Sequence, residues 1–351
     1  MGERLLLRGN EVIAEAAIRA GCQCYFAYPI TPQAELLEHM ARHMPRLGRT
    51  FVQAESEVAA ISMVYGAAGA GVRTMTSSSS PGISLKQEGI SYLAGANLPA
   101  VIVNIVRGGP GLGNIAPSQC DYFQATKGGG HGDYHLIVLG PSTVPEAGEL
   151  TMLAFELADQ YRIPVMILAD GLLGQMMEPV ELPDPIDPAS LPVKEWATTG
   201  AKDRAPNIVL SFEMDPEGLR QINIDLQAKY RTITENEIRY EEFDTEDADI
   251  VLAAYGTIAR ICKSVVRMAR AEGIKVGLFR PITLWPFPYE PLKALSDRVH
   301  TVLSVEMSAG QMWEDVRLAV AERAHTPFYG ETGGIVPTPR AILNEVKKHV
   351  R

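Results

Sequence analysis

Two kinds of hydrophobic pattern alternate along the first half of the chain. Short apolar runs are typical of strands buried in a parallel sheet, whereas apolar positions three or four residues apart predict helices. The runs predict six strands, at 24–28, from Phe51, and at 72–76, 99–106, 136–139 and 165–168. The helical spacing predicts helices at 10–20, 33–43, 83–93 and 144–160, and one that begins at Glu57. Together they indicate an α/β fold with a doubly wound parallel sheet.

The pattern changes after residue 177. Six prolines between residues 178 and 207 predict an extended linker, and the polar stretch 214–240 predicts a connecting helix. Alternating strand and helix patterns resume at Asp247, with strands at 250–254, 275–279 and 301–305 and helices at 258–271, 311–321 and 340–349. We therefore predict a first α/β domain over 1–177, a linker and connecting helix over 178–246, and a second α/β domain over 247–351.

The net charge of -10 argues against a nucleic-acid or anionic-membrane partner, because no basic run compensates for it. The 46% of apolar residues suffices for real cores. No apolar span reaches 18 residues and the first residues lack a signal-peptide pattern, so we expect a cytoplasmic protein.

The four cysteines do not form metal-binding pairs. Cys22, Cys24, Cys120 and Cys262 contain no CxxC spacing of the kind that ligates zinc or iron-sulfur clusters. We therefore expect no metal and no cluster in this chain.

Two glutamates lie where a parallel sheet presents its ligands. Glu55 and Glu57 follow the strand that begins at Phe51, and loops at the carboxyl ends of parallel strands bind ligands. Glu57 opens a helix of mostly apolar residues, so its carboxylate needs a donor or must take up a proton. The residues alone leave two interpretations open: a catalytic base, or acidic residues that merely favour a helix start.

A threonine and an arginine follow two other predicted strands. Thr31 lies in the stiff turn Pro29-Ile30-Thr31-Pro32, where its hydroxyl can bind a substrate carboxylate or cap the next helix. Arg107 begins a long glycine-rich loop, and long ordered loops at strand ends are usually functional. Its guanidinium is suited to a carboxylate, with a structural partner in Glu55 or Asp121 as the alternative.

The same glycine-rich loop matches neither G-x-G-x-x-G nor a Walker P-loop. It contains His131, for which a ligand contact and a structural hydrogen bond are both open.

Taken together, several segments resemble the 2-oxoacid:ferredoxin oxidoreductase family, in the same order and over nearly the whole chain. The segments are Tyr28-Pro-Ile-Thr-Pro32, Ala54-Glu-Ser-Glu-Val-Ala-Ala60, Arg107-Gly-Gly-Pro-Gly111, Pro117 to Asp133, and Arg280 to Pro288. The turn 76–82 and the segment 108–113 are most similar to a separate α subunit of the 2-oxoisovalerate (3-methyl-2-oxobutanoate) branch.

The resemblance implies a fold, an activity and a set of roles. It implies a thiamine-diphosphate pyrimidine-binding domain followed by a transketolase C-terminal-like domain. It implies coenzyme-A-dependent oxidative decarboxylation of a 2-oxoacid, with Glu57 hydrogen-bonded to N1′ of the thiamine pyrimidine and Thr31 and Arg107 holding the substrate carboxylate. The remaining expected contacts are Pro29 and Ile30 with the cofactor, and Gly109, Asn114 and His131 with coenzyme A or substrate.

One motif of the family's cofactor site is absent from this chain. The diphosphate module binds Mg²⁺ through Gly-Asp-Gly and a later Asn, whereas Ala169-Asp-Gly171 lacks the first glycine and a suitable Asn. The resemblance therefore implies a β subunit that supplies the diphosphate and Mg²⁺ site. It also implies γ and ferredoxin-like δ subunits with 4Fe-4S clusters, and ferredoxin as electron acceptor.

Three alternatives compete with this interpretation. The first is the 2-oxoglutarate branch of the same family, and the second is a non-catalytic assembly subunit. The third is a nucleotide-dependent dehydrogenase or transferase on the same fold. That third alternative needs G-x-G-x-x-G after the first strand, where the chain has Tyr28 to Pro32 instead.

Overall fold

A computed structural model describes residues 4–350. Its strands are β1 (Arg4–Arg8), β2 (Cys24–Ala27), β3 (Thr50–Gln53), β4 (Thr74–Ser78), β5 (Ala100–Val106), β6 (Ile137–Leu139), β7 (Pro164–Asp170), β8 (Met177–Glu181), β9 (Tyr240–Phe243), β10 (Ile250–Ala253), β11 (Val276–Pro281), β12 (Thr283–Trp285), β13 (Thr301–Glu306) and β14 (Phe328–Gly330). Its helices are α1 (Gly9–Arg19), α2 (Ala34–His43), α3 (Glu57–Gly69), α4 (Pro81–Gly95), α5 (Tyr122–Thr126), α6 (Val144–Tyr161), α7 (Gly171–Gln175), α8 (Pro216–Asn236), α9 (Gly256–Ala271), α10 (Tyr289–Ser296), α11 (Gln311–Val320) and α12 (Pro339–Lys347).

The larger sheet has the strand order β12-β6-β7-β5-β4-β2-β3. Its six strands from the first half of the chain are parallel and confirm the six predicted strands. The seventh, β12, pairs antiparallel with β6 and comes from the second half of the chain. The sequence did not predict it, because three residues between prolines have no strand pattern of their own.

The second sheet has the order β14-β13-β10-β11-β9. Its three central strands are the predicted ones, and β14 adds a short parallel edge. The other edge, β9, pairs antiparallel with β11 although it lies in the stretch predicted as linker. The structure thus contains the predicted second α/β unit, while the division at 177 and 247 stays a prediction.

The stretch predicted as a linker is only partly extended. Its start belongs to β8, which pairs antiparallel with β1, a strand that the sequence analysis did not predict. The connecting helix α8 ends at Asn236, four residues before the predicted end. Within the described range, no helix has both the length and the apolar character needed to cross a bilayer.

The strand order decides which loops meet. Because β5, β4, β2 and β3 are neighbours, the segments after them lie side by side at one edge of the sheet. Those segments contain Thr31, Glu57, the turn 79–82 and Arg107. The sheet therefore brings the main predicted site residues to one place.

Candidate functional site

Glu57 is buried at the start of α3, whereas Glu55 is exposed. The hydroxyl of Ser56 caps the helix by accepting from the amide of Ala59 at 3.1 Å, so Glu57 is not the cap. The side chain of Glu57 instead lies against the first turn of α4. A Cβ added at Gly82 would be 2.8 Å from Oε1 of Glu57, so only glycine permits this approach.

The turn between β4 and α4 leaves polar groups without partners. The hydroxyls of Ser78 and Ser79 are buried and have no hydrogen-bond partner among the described residues. Such groups are uncommon in native proteins and call for an explanation, such as an absent ligand or water. We call the residues Glu57, Ser78, Ser79, Gly82 and Lys86 the Glu57 pocket.

Ser80 holds this turn in a strained conformation, with φ +30°. Its amide donates to Oδ1 of Asn104 at 3.0 Å, and its hydroxyl accepts from the amide of Arg107 at 3.0 Å. These bonds fasten the start of α4 to the end of β5. The Glu57 pocket is thereby fixed relative to Arg107.

Lys86 completes the pocket, and the sequence analysis missed it. Its side chain is fully buried, and Nζ donates to Oγ1 of Thr76 at 2.6 Å and to the carbonyl of Ser77 at 3.0 Å. Burial lowers the pKa of Lys86 to about 7, an effect that attraction to Glu57 opposes. Helical spacing contained the signal, because Lys86 lies on the face that Ile83 and Ile90 predict to be buried.

Arg107 and Thr31 are in contact, through the side chain of the first and the main chain of the second. The guanidinium of Arg107 is buried and donates to the carbonyls of Thr31 at 3.0 Å and Leu112 at 2.9 Å. Its Nε has no partner within residues 4–350. Neither Glu55 nor Asp121 accepts from it there, so the structural ion pair considered above is not formed.

The turn before α2 exposes most of its residues. Thr31 and Pro29 are exposed and Ile30 is half-buried, and the Thr31–Pro32 peptide bond is cis. Thr31 does not cap α2, whose N-cap position is Gln33. The helix cap that the sequence offered for the Thr31 hydroxyl is therefore not formed.

A cleft of about 830 Å³ opens beside the Glu57 pocket. It lies between the first turns of α4, the loop 108–121 and the segments 307–311 and 332–333 of the second half of the chain. The described residues that line it include no lysine, arginine or histidine. Their one acidic group is Asp121, where burial raises the pKa and a hydrogen bond from Asn104 at 2.8 Å opposes the rise.

The loop residues expected to contact coenzyme A or substrate occupy different places. Gly109 lines the cleft. Asn114 donates to the carbonyl of Gly333 at 2.9 Å and thereby ties the loop to the second half of the chain. His131 is exposed and does not line the cleft. Of these three residues, only Gly109 lines the cleft.

Asp170, the aspartate of the incomplete metal motif, has a structural role. Its carboxylate caps α7 by accepting from the amides of Leu172 and Leu173. Over residues 4–350, no group of three histidine, cysteine, aspartate or glutamate side chains is arranged to hold a metal ion.

Comparison with known proteins places this geometry in a family. Residues 15–248 match the family model of pyruvate flavodoxin/ferredoxin oxidoreductase, thiamine diphosphate-binding, and residues 248–342 match core domain II of pyruvate:ferredoxin oxidoreductase. The ketoisovalerate oxidoreductase subunit VorB of Methanothermobacter marburgensis is 54% identical over 98% of this chain and 97% of its own length. The 2-oxoglutarate synthase subunit KorA of Methanothermobacter thermautotrophicus is 37% identical over 99% of both chains.

Solved structures agree with the matches in sequence. A 2-oxoglutarate:ferredoxin oxidoreductase from Magnetococcus marinus, with 2-oxoglutarate, coenzyme A and succinyl-CoA bound, is 26% identical with a TM-score of 0.89. That match covers all of this chain and 66% of the other. A split-gene transketolase, 14% identical with a TM-score of 0.59, shares the fold. The predicted fold and family are thus confirmed, and the chain belongs to the 2-oxoacid:ferredoxin oxidoreductase family of thiamine-diphosphate-binding enzymes.

Proposed function

We propose that the chain is the α subunit of an enzyme that oxidatively decarboxylates a branched-chain 2-oxoacid, with 2-oxoisovalerate favoured, to acyl-CoA, carbon dioxide and reduced ferredoxin. The lining of the cleft carries the choice of substrate. A second carboxylate, as in 2-oxoglutarate, needs a cation, and the cleft presents none. Leu85, Pro110 and Met307 offer it apolar surface instead. The identity to ketoisovalerate oxidoreductase subunits supports the same choice.

The Glu57 pocket fits the pyrimidine end of thiamine diphosphate. The hydroxyls of Ser78 and Ser79, unpartnered among the described residues, and the carboxylate of Glu57 form a buried polar cluster. Pro29 and Ile30 would lie along the cofactor. When bound, the cofactor supplies the carbon nucleophile and accepts the electron pair that decarboxylation releases.

The residues of this chain have separable roles in that chemistry. Glu57 holds a proton with N1′ of the pyrimidine ring, in a place that α4 closes to water. The guanidinium of Arg107, with Nε unpartnered, and the hydroxyl of Thr31 bind the carboxylate of the 2-oxoacid. Gly109, which has no side chain, lets the acyl acceptor, coenzyme A, approach the cleft. Asn114 and His131 contact coenzyme A or the substrate farther from the cleft in this proposal.

The site is completed by partner chains in this proposal. Leu85, Leu112 and Ile115 are exposed in or beside the cleft, as expected where another subunit packs. A β subunit supplies the diphosphate and Mg²⁺ site, and γ and ferredoxin-like δ subunits carry the 4Fe-4S clusters that pass electrons to ferredoxin. The assembly is cytoplasmic, and its α chain alone neither turns over substrate nor holds the cofactor tightly.

The test uses the assembled complex and the variant Glu57→Gln, which keeps the size of the side chain and removes its charge. We expect turnover of 2-oxoisovalerate to fall at least 100-fold with subunit assembly intact, because the proton at N1′ loses its acceptor. Glu55→Gln is the matched control, since Glu55 is exposed two residues away. Unchanged turnover of Glu57→Gln would refute the role of Glu57 and favour a non-catalytic subunit.

The substrate is tested separately on the unmodified complex. We expect kcat/KM for 2-oxoisovalerate to exceed that for 2-oxoglutarate, with pyruvate and an aryl 2-oxoacid as further comparisons. A preference for 2-oxoglutarate would mean that a partner chain brings a cation into the cleft and would overturn the substrate proposal.

A further inference from the structure

Lys86 is a buried cation to which the proposed function assigns no role. Its side chain is 0% exposed, and its two hydrogen-bond acceptors, the hydroxyl of Thr76 and the carbonyl of Ser77, are neutral. Among the described residues, no carboxylate is hydrogen-bonded to it. A buried ammonium group without such a partner is costly and seldom persists without a role.

The helix places Lys86 on the same face as the glycine that touches Glu57. Gly82 and Lys86 are four residues apart in α4, and side chains at that spacing are neighbours on a helix surface. The carboxylate of Glu57 packs directly against Gly82. It is also the charged group that attracts the Lys86 ammonium and opposes the lowering of its pKa by burial.

Hydrogen bonds fix the ammonium in this position. The hydroxyl of Ser77 donates to Oε1 of Gln33 at 2.5 Å and is also bonded to the hydroxyl of Tyr25 at 2.5 Å. All three side chains are buried. The carbonyl that holds Lys86 therefore belongs to a residue that is itself held on two sides, so the charge cannot readily move away from the Glu57 pocket.

We propose that Lys86 is a positioning residue that acts through Glu57: its fixed ammonium group supplies the countercharge that keeps the buried carboxylate of Glu57 oriented towards the pyrimidine of the cofactor. This inference rests on the proposed function, because it assigns Lys86 a role only if Glu57 contacts the cofactor. Lys86 itself touches neither cofactor nor substrate.

A double-mutant cycle tests the proposal on the assembled complex. At about pH 6, where Lys86 keeps its proton, thiamine diphosphate with Mg²⁺ is titrated calorimetrically into cofactor-free complexes carrying Lys86→Met, Glu57→Gln, both changes or neither. We expect Lys86→Met to weaken binding about tenfold when Glu57 is present and less than twofold when it is Gln, because the countercharge then has no carboxylate to act on. Equal effects in both backgrounds, or none in either, would overturn the proposal.

Steady-state kinetics supply a second readout. Lys86→Met should lower kcat about tenfold and leave KM for 2-oxoisovalerate within twofold, because Arg107 and Thr31 are unchanged. A matched control is Lys229→Met. Lys229 is also largely buried and bonds Asn97 just beyond the far end of α4, so its loss should leave kcat unchanged.

A folding defect is separated from a loss of charge by Lys86→Gln, whose amide can still donate to Thr76 and Ser77. If Lys86→Met does not assemble, the cycle is repeated with Lys86→Gln and the same outcomes apply. If neither variant assembles, Lys86 is structural and the proposal is wrong. If Glu57→Gln itself alters neither binding nor turnover, the proposed function fails first, which distinguishes the two results.

Discussion

Two buried polar regions of this molecule differ in how completely their charges are paired. The first, which we call the Arg280 cluster, consists of Arg280, Glu146, Glu241 and Ser142. Arg280 donates to both carboxylates and to the hydroxyl of Ser142, with every distance between 2.8 and 2.9 Å. The second is the Glu57 pocket, where a carboxylate, an ammonium and two hydroxyls are buried without being paired in this way.

This difference distinguishes polar groups that stabilise the fold from polar groups that serve a ligand or a reaction. Removing either partner of a fully paired buried charge is strongly destabilising, so such a pair holds elements together. Incompletely paired groups cost stability and are retained where a ligand or a reaction uses them. The Arg280 cluster therefore links β11 to β9 and to the first turn of α6, and the Glu57 pocket marks where chemistry is expected.

Disrupting the Arg280 cluster should have the largest effect, a loss of stability. Arg280→Met leaves Glu146 and Glu241 without their buried partner, although Glu241 keeps its ion pair with Lys263, so we expect the free energy of unfolding to fall by about 3 kcal/mol. Denaturant unfolding of the full chain measures it. Arg298→Met, at an exposed ion pair of 3.7 Å, is the control and should change stability by less than about 1 kcal/mol. Equal losses of stability in the two variants would mean that the Arg280 cluster contributes no more than an exposed ion pair.

Removing the Arg107 guanidinium, whose Nε has no partner within residues 4–350, should weaken substrate binding. Arg107→Met is expected to raise KM for the 2-oxoacid about 100-fold in the assembled complex, because a charge-assisted contact to the carboxylate is lost. Arg49→Met is the matched control, since Arg49 also donates to two main-chain carbonyls but lies away from the cleft. If both variants raise KM alike, Arg107 is only a structural donor.

Adding a methyl group at Gly82 tests whether the close contact between α4 and Glu57 is needed for activity. Gly82→Ala adds a methyl group 2.1 Å from the hydroxyl of Ser78, so one side must shift, at a cost of about 1–3 kcal/mol. We expect turnover to fall about tenfold. Gly66→Ala, in the open in α3, should instead stabilise the helix slightly. Normal turnover in Gly82→Ala would show that the approach is not needed.

The smallest effect concerns the pH dependence of stability. The pKa of Lys86 falls from its ordinary 10.5 to about 7 on folding, chiefly through burial. Between these values the unfolded chain binds the extra proton, so this burial penalty is full below pH 7 and shrinks as the pH rises towards 10.5. From pH 7 to 8, wild type should gain about 1 kcal/mol of unfolding free energy relative to Lys86→Met. The same pH dependence of the unfolding free energy in wild type and Lys86→Met, measured by denaturant unfolding, would show that burial does not lower the pKa of Lys86.

Local pattern was enough for much of this protein. Buried parallel strands are continuous apolar runs, so the six parallel strands of the larger sheet and most of the helices between them were predictable from the residues. The motifs around Thr31, Glu57 and Arg107 indicated the family, and each of them follows a predicted strand. Those inferences depend on residues close together in sequence, and they were confirmed for the fold and the family.

What the sequence by itself determined, then, is the order of the six parallel strands and the main helices along the chain, the family, and the strand ends at which its motifs lie. Only the tertiary structure decided that β12 joins the first sheet, that Arg107 bonds main-chain carbonyls rather than Glu55 or Asp121, and that Lys86 is buried behind Glu57. The physical reason is that local periodicity reports which face of an element is apolar. Which polar groups share a buried space depends on contacts between residues far apart in the chain.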